Sequence, residues 1–241
     1  PTCNVYDLFV MDNDCSGSTV NLSTCDPDSI GQTIGTSLCP TDCSPSDDCH
    51  FGWEWGSGDS DIHWQYYYTD EILLPCTEEI LFDLCYGLDG WGSNLQGDFY
   101  VYWRCADGGL ETDCTTMSAS GMGGDWNLAW SDTGVNWTAN CSSRTVTGQL
   151  LNVPCTCNYI QVAIAVEFDA YADYYGIGQF RVYYDSCTGS DCSSGQRICD
   201  GLPTGECPVD TIFSQPASLA AGSAYVSDQD TTTRVAENFS G

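Results

Sequence analysis

Sulfur and carboxylate are the reactive groups this chain carries in quantity. It holds 17 cysteines and 34 acidic residues against five arginines and no lysine. The cysteines are Cys3, Cys15, Cys25, Cys39, Cys43, Cys49, Cys76, Cys85, Cys105, Cys114, Cys141, Cys155, Cys157, Cys187, Cys192, Cys199 and Cys207. Their gaps, such as Cys39-x3-Cys43 and Cys155-Thr156-Cys157, form no paired Cys-x-x-Cys set, so zinc is not expected. Thiols this dense without zinc spacing are the material of a disulfide framework built in an oxidising compartment. The count is odd, so eight bridges leave one sulfur over, either as a free thiol or as a bond to another chain. In a strand, Cys155 and Cys157 face the same side and bridge to different partners.

The carboxylates offer two kinds of chemistry, metal binding and acid–base catalysis. Asp12-x-Asp14-x-Ser16-Gly17 copies the first half of a calcium loop, although position twelve is Ser23 rather than Glu and Cys15 lies inside it. Asp59-Ser60-Asp61 precedes a strand and is a second pair. Calcium is thus an expectation for Asp12, Asp14, Asp59 and Asp61, beside the plainer reading of both as turns. No cofactor is otherwise indicated. The two histidines, His50 and His63, lie in no metalloprotease motif, and no nucleophile elbow, phosphate loop or dinucleotide loop occurs. No catalytic residue is assigned, and the chain reads as a non-enzyme.

Aromatic residues are the remaining candidates. Trp53, Trp55, Trp64, Tyr66, Tyr67, Tyr68 and Trp91 cluster early, and alternate members suit a core. Tyr171, Tyr174 and Tyr175 crowd what reads as a glycine-rich loop, which predicts a contact surface for sugar or protein. Four glycosylation sequons start at Asn21, Asn136, Asn140 and Asn238.

A net charge of −29 excludes nucleic acid and anionic lipid as partners. The longest apolar run, residues 159–168, contains Gln161 and Glu167 and is too short to span a bilayer, so no membrane insertion is expected. The chain starts at Pro1 and reads as a mature product or a piece of a longer polypeptide, extracellular or at a cell surface.

The elements that must position these residues are strands. Ile160, Val162, Ile164, Val166 and Phe168 alternate with Gln161, Ala163, Ala165 and Glu167. Phe99, Val101 and Trp103 alternate with Tyr100, Tyr102 and Arg104, and residues 80–84 and 180–184 repeat the pattern. Further strands are predicted at 5–11, 63–69, 72–76, 126–131 and 145–151. No segment shows helical periodicity. The fold class is all-β: an antiparallel, jelly-roll-like, disulfide-rich β-sandwich with an extended C-terminal segment. The predicted organisation is a Cys-rich region at 1–48, the sandwich at 49–187, a Cys-rich connector at 188–207 and a cysteine-free extension at 208–241.

Residues 49–187 resemble a jelly-roll module of the MAM type or its bacterial secreted relatives. The matching parts are Cys49-His50-Phe51-Gly52-Trp53, the paired strands over 80–103, the WSDTGVNW segment at 130–137 and the closing strand over 160–187. That resemblance implies a non-catalytic role in adhesion, assembly or carbohydrate contact. Residues 213–241 resemble the opening of another secreted β-sandwich module, through Gln215-Pro216, Ser227-Asp228-Gln229-Asp230 and Ala236-Glu237-Asn238-Phe239. A strand without a sheet must find backbone partners elsewhere. Val235, Glu237 and Phe239 are therefore candidates for strand exchange with a second copy, giving a homopolymer assembled head to tail. Two functions follow: a structural subunit of an extracellular filament or appendage, or a secreted carbohydrate-binding or cell-adhesion module in contact with glycans.

Overall fold

Period-two alternation governs most of the described strands. The computed structural model describes residues 3–11, 21–28, 33–35, 50–54, 62–75, 79–90, 95–106, 114–133, 136–137, 142–154, 156–169 and 172–187. The N-terminal strands are β1 (Cys3–Val10), β2 (Ser23–Cys25), β3 (Thr33–Gly35) and β4 (His50–Glu54). They are followed by β5 (Ile62–Tyr68), β6 (Ile72–Leu73), β7 (Leu81–Gly90) and β8 (Leu95–Ala106). A short 3-10 turn, Cys114–Thr116, leads into the hairpin β9 (Met117–Ser118) and β10 (Gly121–Met122). The last five are β11 (Asn127–Asp132), β12 (Asn136–Trp137), β13 (Ser142–Leu150), β14 (Tyr159–Asp169) and β15 (Ala172–Cys187).

Two antiparallel sheets result. One runs β13-β7-β15-β4-β3, with β1 beside the second half of β15. The other runs β11-β8-β14-β5-β2, with β12 on β8 and β6 on β14. Chain order through the two central quartets, β4-β15-β7-β13 and β5-β14-β8-β11, crosses between sheets at every step but β8 to β11, which is the jelly-roll order. The predicted sandwich and its strands are present.

The core forms where the inner faces meet. Ile160, Val162, Ile164, Val166 and Phe168 of β14 pack with Phe99, Val101 and Trp103 of β8 on one side. Phe82, Leu84, Tyr86 and Leu88 of β7 and Tyr175, Ile177, Phe180, Val182 and Tyr184 of β15 oppose them. Leu8 and Met11 from the N-terminal strand and its end join the same cluster, and Met11 N donates to Phe180 O at 2.8 Å. The N-terminal region therefore contributes to both sheets, through β1 on β15 and β2 on β5.

β15 is the main departure from the sequence pattern. The pattern predicts 180–184, but the strand begins at Ala172 and runs sixteen residues. Gly176 and Gly178 break its alternation, and a register shift falls between Ile177 and Gln179. The segment read as a tyrosine-rich loop is thus mostly strand. This corrects Tyr175 as a contact residue. It is fully buried, because the pleat turns it inward against Phe99 and Phe168. Tyr174 pairs with Glu54 and Asp89 along the backbone, and Tyr171 lies outside the described residues.

Candidate functional site

Strand pleating gives the seven-stranded sheet a second face, and its residue types are unusual for a solvent side. Register aligns the outward residues of β5, β14 and β8 in rows. The first row is Trp64, Glu167 and Asp98. The second is Tyr66, Ala165 and Tyr100. The third is Tyr68, Ala163 and Tyr102, and the fourth pairs Gln161 with Arg104. Alanine on the middle strand leaves room for rings from both flanks to close over it. Trp64 stacks on Tyr100 at 5.5 Å and on Tyr66 at 5.9 Å, and Tyr100 stacks on Tyr102 at 6.0 Å. Offset stacking of this kind adds about 0.5–1.5 kcal/mol per pair beyond area burial.

A strap covers part of this face. It starts at Cys114, which is disulfide-bonded to Cys25 at the β2 edge, and ends at β11. Its hairpin lays Met117 and Met122 on the rings, and Trp126 follows them just before β11. Tyr66 donates through its hydroxyl to Ser118 O at 2.7 Å, and Trp126 Nε1 donates to Thr116 Oγ1 at 3.2 Å. Tyr66 is 0% and Trp64 8% exposed beneath it, while Tyr100, Tyr102, Asp98 and Glu167 stay half-buried.

The two ends of the face differ: one holds a buried arginine ion-paired with Asp125 at 3.8 Å, the other two half-buried carboxylates. At one end, Arg104 is buried. Its Nε and Nη2 donate to Gln161 Oε1 at 2.9 and 2.7 Å, and its guanidinium lies 4.7 Å from the Trp126 ring centre. At the other end, the Tyr100 hydroxyl lies 3.1 Å from Glu167 Oε2 and 3.3 Å from Asp98 Oδ2. A hydroxyl has one hydrogen, so it serves one carboxylate at a time. Burial pushes the Glu167 carboxyl above its ordinary range; the Tyr100 hydrogen bond opposes this and the Asp98 charge adds to it. The Tyr100 phenol is held well above its ordinary value by burial and then by Glu167 and Asp98, so it stays a protonated donor.

The predicted site residues fall elsewhere or outside the described residues. Asp12, Asp14, Asp59 and Asp61 lie outside them, as do Asn140, Asn238, Val235, Glu237 and Phe239. Asn21 is exposed, and its Nδ2 donates to Val10 O at 2.7 Å. Asn136 starts β12. Among the described residues no group of three or more His, Cys, Asp or Glu side chains is placed to hold a metal. Of the cysteines, Cys25 bonds Cys114 and Cys105 bonds Cys157, while Cys155 lies outside the description. His63 is buried with Nδ1 3.7 Å from Asp28 Oδ2, a carboxylate that also accepts from Trp64 N at 2.9 Å. Sequence reasoning passes over Tyr100, Tyr102, Asp98 and Glu167. The signal for them is the aromatic character of the β8 positions that alternate with Phe99, Val101 and Trp103, where a solvent face would be polar.

Comparisons with known proteins return folds only. No protein-family model and no curated protein matches the chain. Among solved structures, TmCBM61 in complex with β-1,4-galactotriose is similar at 11% identity and a TM-score of 0.37, over 68% of this chain and 88% of that one. The K1 cleaved adhesin domain of Lys-gingipain from Porphyromonas gingivalis W83 is similar at 16% identity and a TM-score of 0.42, over 78% and 100% of the two chains. A structure of carbohydrate-binding modules from the β-sandwich superfamily is similar at 10% identity and a TM-score of 0.40, over 70% and 59%. At such scores none of them carries a role over to this chain.

Proposed function

We propose that this chain is a secreted, non-catalytic carbohydrate-binding or adhesion module whose contact surface is the outer face of the β5–β14–β8 sheet. One observation carries the reading: partly buried Tyr100 and Tyr102 stack side by side next to two carboxylates, on a sheet face held by a disulfide-tethered strap. Aromatic faces take the apolar side of a pyranose, and carboxylates accept its hydroxyl hydrogens. The MAM-type resemblance fits the same contact role. The filament reading rests on residues 213–241, which the aromatic face neither needs nor supports. Disulfides on this scaffold fit an oxidising, extracellular setting.

Titration calorimetry against a panel of oligosaccharides tests it. Tyr100→Ala and Tyr102→Ala should each weaken the best ligand about tenfold, the scale of one lost stacking contact in a desolvated site. Binding by the variants at wild-type affinity, or no binding by the intact protein, would overturn the assignment.

A further inference from the structure

One flank of the sandwich is free of the acidity that marks the rest of the chain. No acidic residue occurs between Asp132 and Glu167, in a chain that holds 34. That stretch supplies β13, which ends one sheet, while β11 ends the other on the same flank. The two strands together hold one acid and one base, Asp132 and Arg144, and these pair at 2.6 Å. Asp132 also accepts from the Tyr86 hydroxyl at 2.6 Å. Two apolar side chains face solvent on these strands, Leu128 at 55% and Leu150 at 38% exposure. The flank is neutral and partly apolar on a body of net charge −29.

An edge strand is a template for pairing with another chain, and proteins guard it with lysine, proline, a bulge or a short length. β13 runs nine residues and contains neither lysine nor proline. Among the described residues no strand lies beyond it. Its guard is a bulge between Val146 and Gln149, where Gly148 takes φ +64 and its N donates to Asp83 Oδ1 at 2.8 Å. Register with β7 is unbroken from Ser142 to Val146, so that stretch remains regular edge.

The charge pattern selects the occupant. A basic partner would be met by carboxylates. A neutral flank suits a second body of the same high negative charge, because it keeps carboxylates away from the line of contact. We infer that β13 pairs antiparallel with β13 of a second copy about a two-fold axis, joining the two six-stranded sheets into one. Such an axis sets one residue opposite its own copy. Thr145 fits that position: threonine pairs across strands are favourable, and Arg144 then lies opposite Val146 rather than another Arg144. The contact is isologous and closes at two copies. It stands apart from the carbohydrate reading and does not depend on it.

Analytical ultracentrifugation of the full chain tests it. The intact protein should sediment at twice the chain mass and dissociate on dilution. Added salt should strengthen the dimer, because it screens repulsion between two acidic bodies. Thr145→Lys and Thr145→Glu should each weaken it about fivefold by setting like charges opposite at the axis, with circular dichroism as the control for folding. Long-range charge alone would move these two variants in opposite directions, and that result would overturn the inference. A dimer indifferent to both substitutions, or an assembly that keeps growing past two copies, would overturn it as well. So would a monomer at every concentration; hydrogen-exchange protection of the β13 amides in that monomer would give the edge to another segment of the same chain.

Discussion

Glu167 carries a carboxyl that burial makes costly to ionise. Its carboxyl titrates above the ordinary 4.5, first because burial penalises the ion, against the Tyr100 hydrogen bond and with the Asp98 charge. The folded state therefore keeps a proton that the unfolded chain has released. Stability from this group is full below pH 4.5 and falls as pH rises through the raised value. Glu167→Gln should accordingly melt higher than wild type at neutral pH, with the gap closing below pH 4.5; a gap independent of pH would show that ionisation is not the cause. Gly124 is a second single-residue control. It sits in the strap at φ +73, where an added Cβ would lie 2.7 Å from Thr116 Cγ2. Gly124→Ala should cost about 1–2 kcal/mol for the left-handed backbone alone, read from chemical denaturation. An unchanged midpoint would mean that the strap adjusts freely.

At the scale of elements, the strap decides which rings meet solvent. Its hold on the sheet is the Cys25–Cys114 disulfide, spanning 89 residues of sequence, together with the Tyr66–Ser118 hydrogen bond. Replacing both cysteines by serine should lower stability by about 2–4 kcal/mol and open Trp64 and Trp126 to a soluble quencher. If emission keeps its wild-type resistance to quenching, packing by Met117 and Met122 holds the strap instead. The alternation of β14 and β8 was plain from residue types, since one face is wholly aliphatic or aromatic. The strap was not, because a few turns of Ser, Gly and Thr carry no period, and its partner cysteine lies far away in sequence. β15 was half legible: its apolar end alternates, whereas glycines and a bulge hide the rest. The same break hides the inward turn of Tyr175, and an aromatic residue of β8 looks the same in sequence whether its face is inner or outer.

At the scale of the molecule, the sandwich is completed by segments that composition alone would set apart. β1 lies along β15 from Cys3 opposite Cys187 to Val10 opposite Arg181, and β2 lies against β5. Leu8, Met11 and Leu22 are buried in the central cluster. A fragment spanning residues 49–187 should thus melt well below the full chain or aggregate through the exposed edges of β15 and β5, as followed by circular dichroism and light scattering. A cooperative transition at the full-chain temperature would show that the N-terminal strands are dispensable.

The outer face of β8 and β14 is built differently at its two ends. From Asp98 to Arg104 the strand advances about 20 Å, with two carboxylates around Tyr100 at one terminus and a guanidinium held by Gln161, Asp125 and the Trp126 ring at the other. Such a strip has a head and a tail. A linear polymer laid on it is not equivalent to the same polymer turned end for end, so occupancy would be vectorial, and every copy bound along one strand of ligand would point the same way.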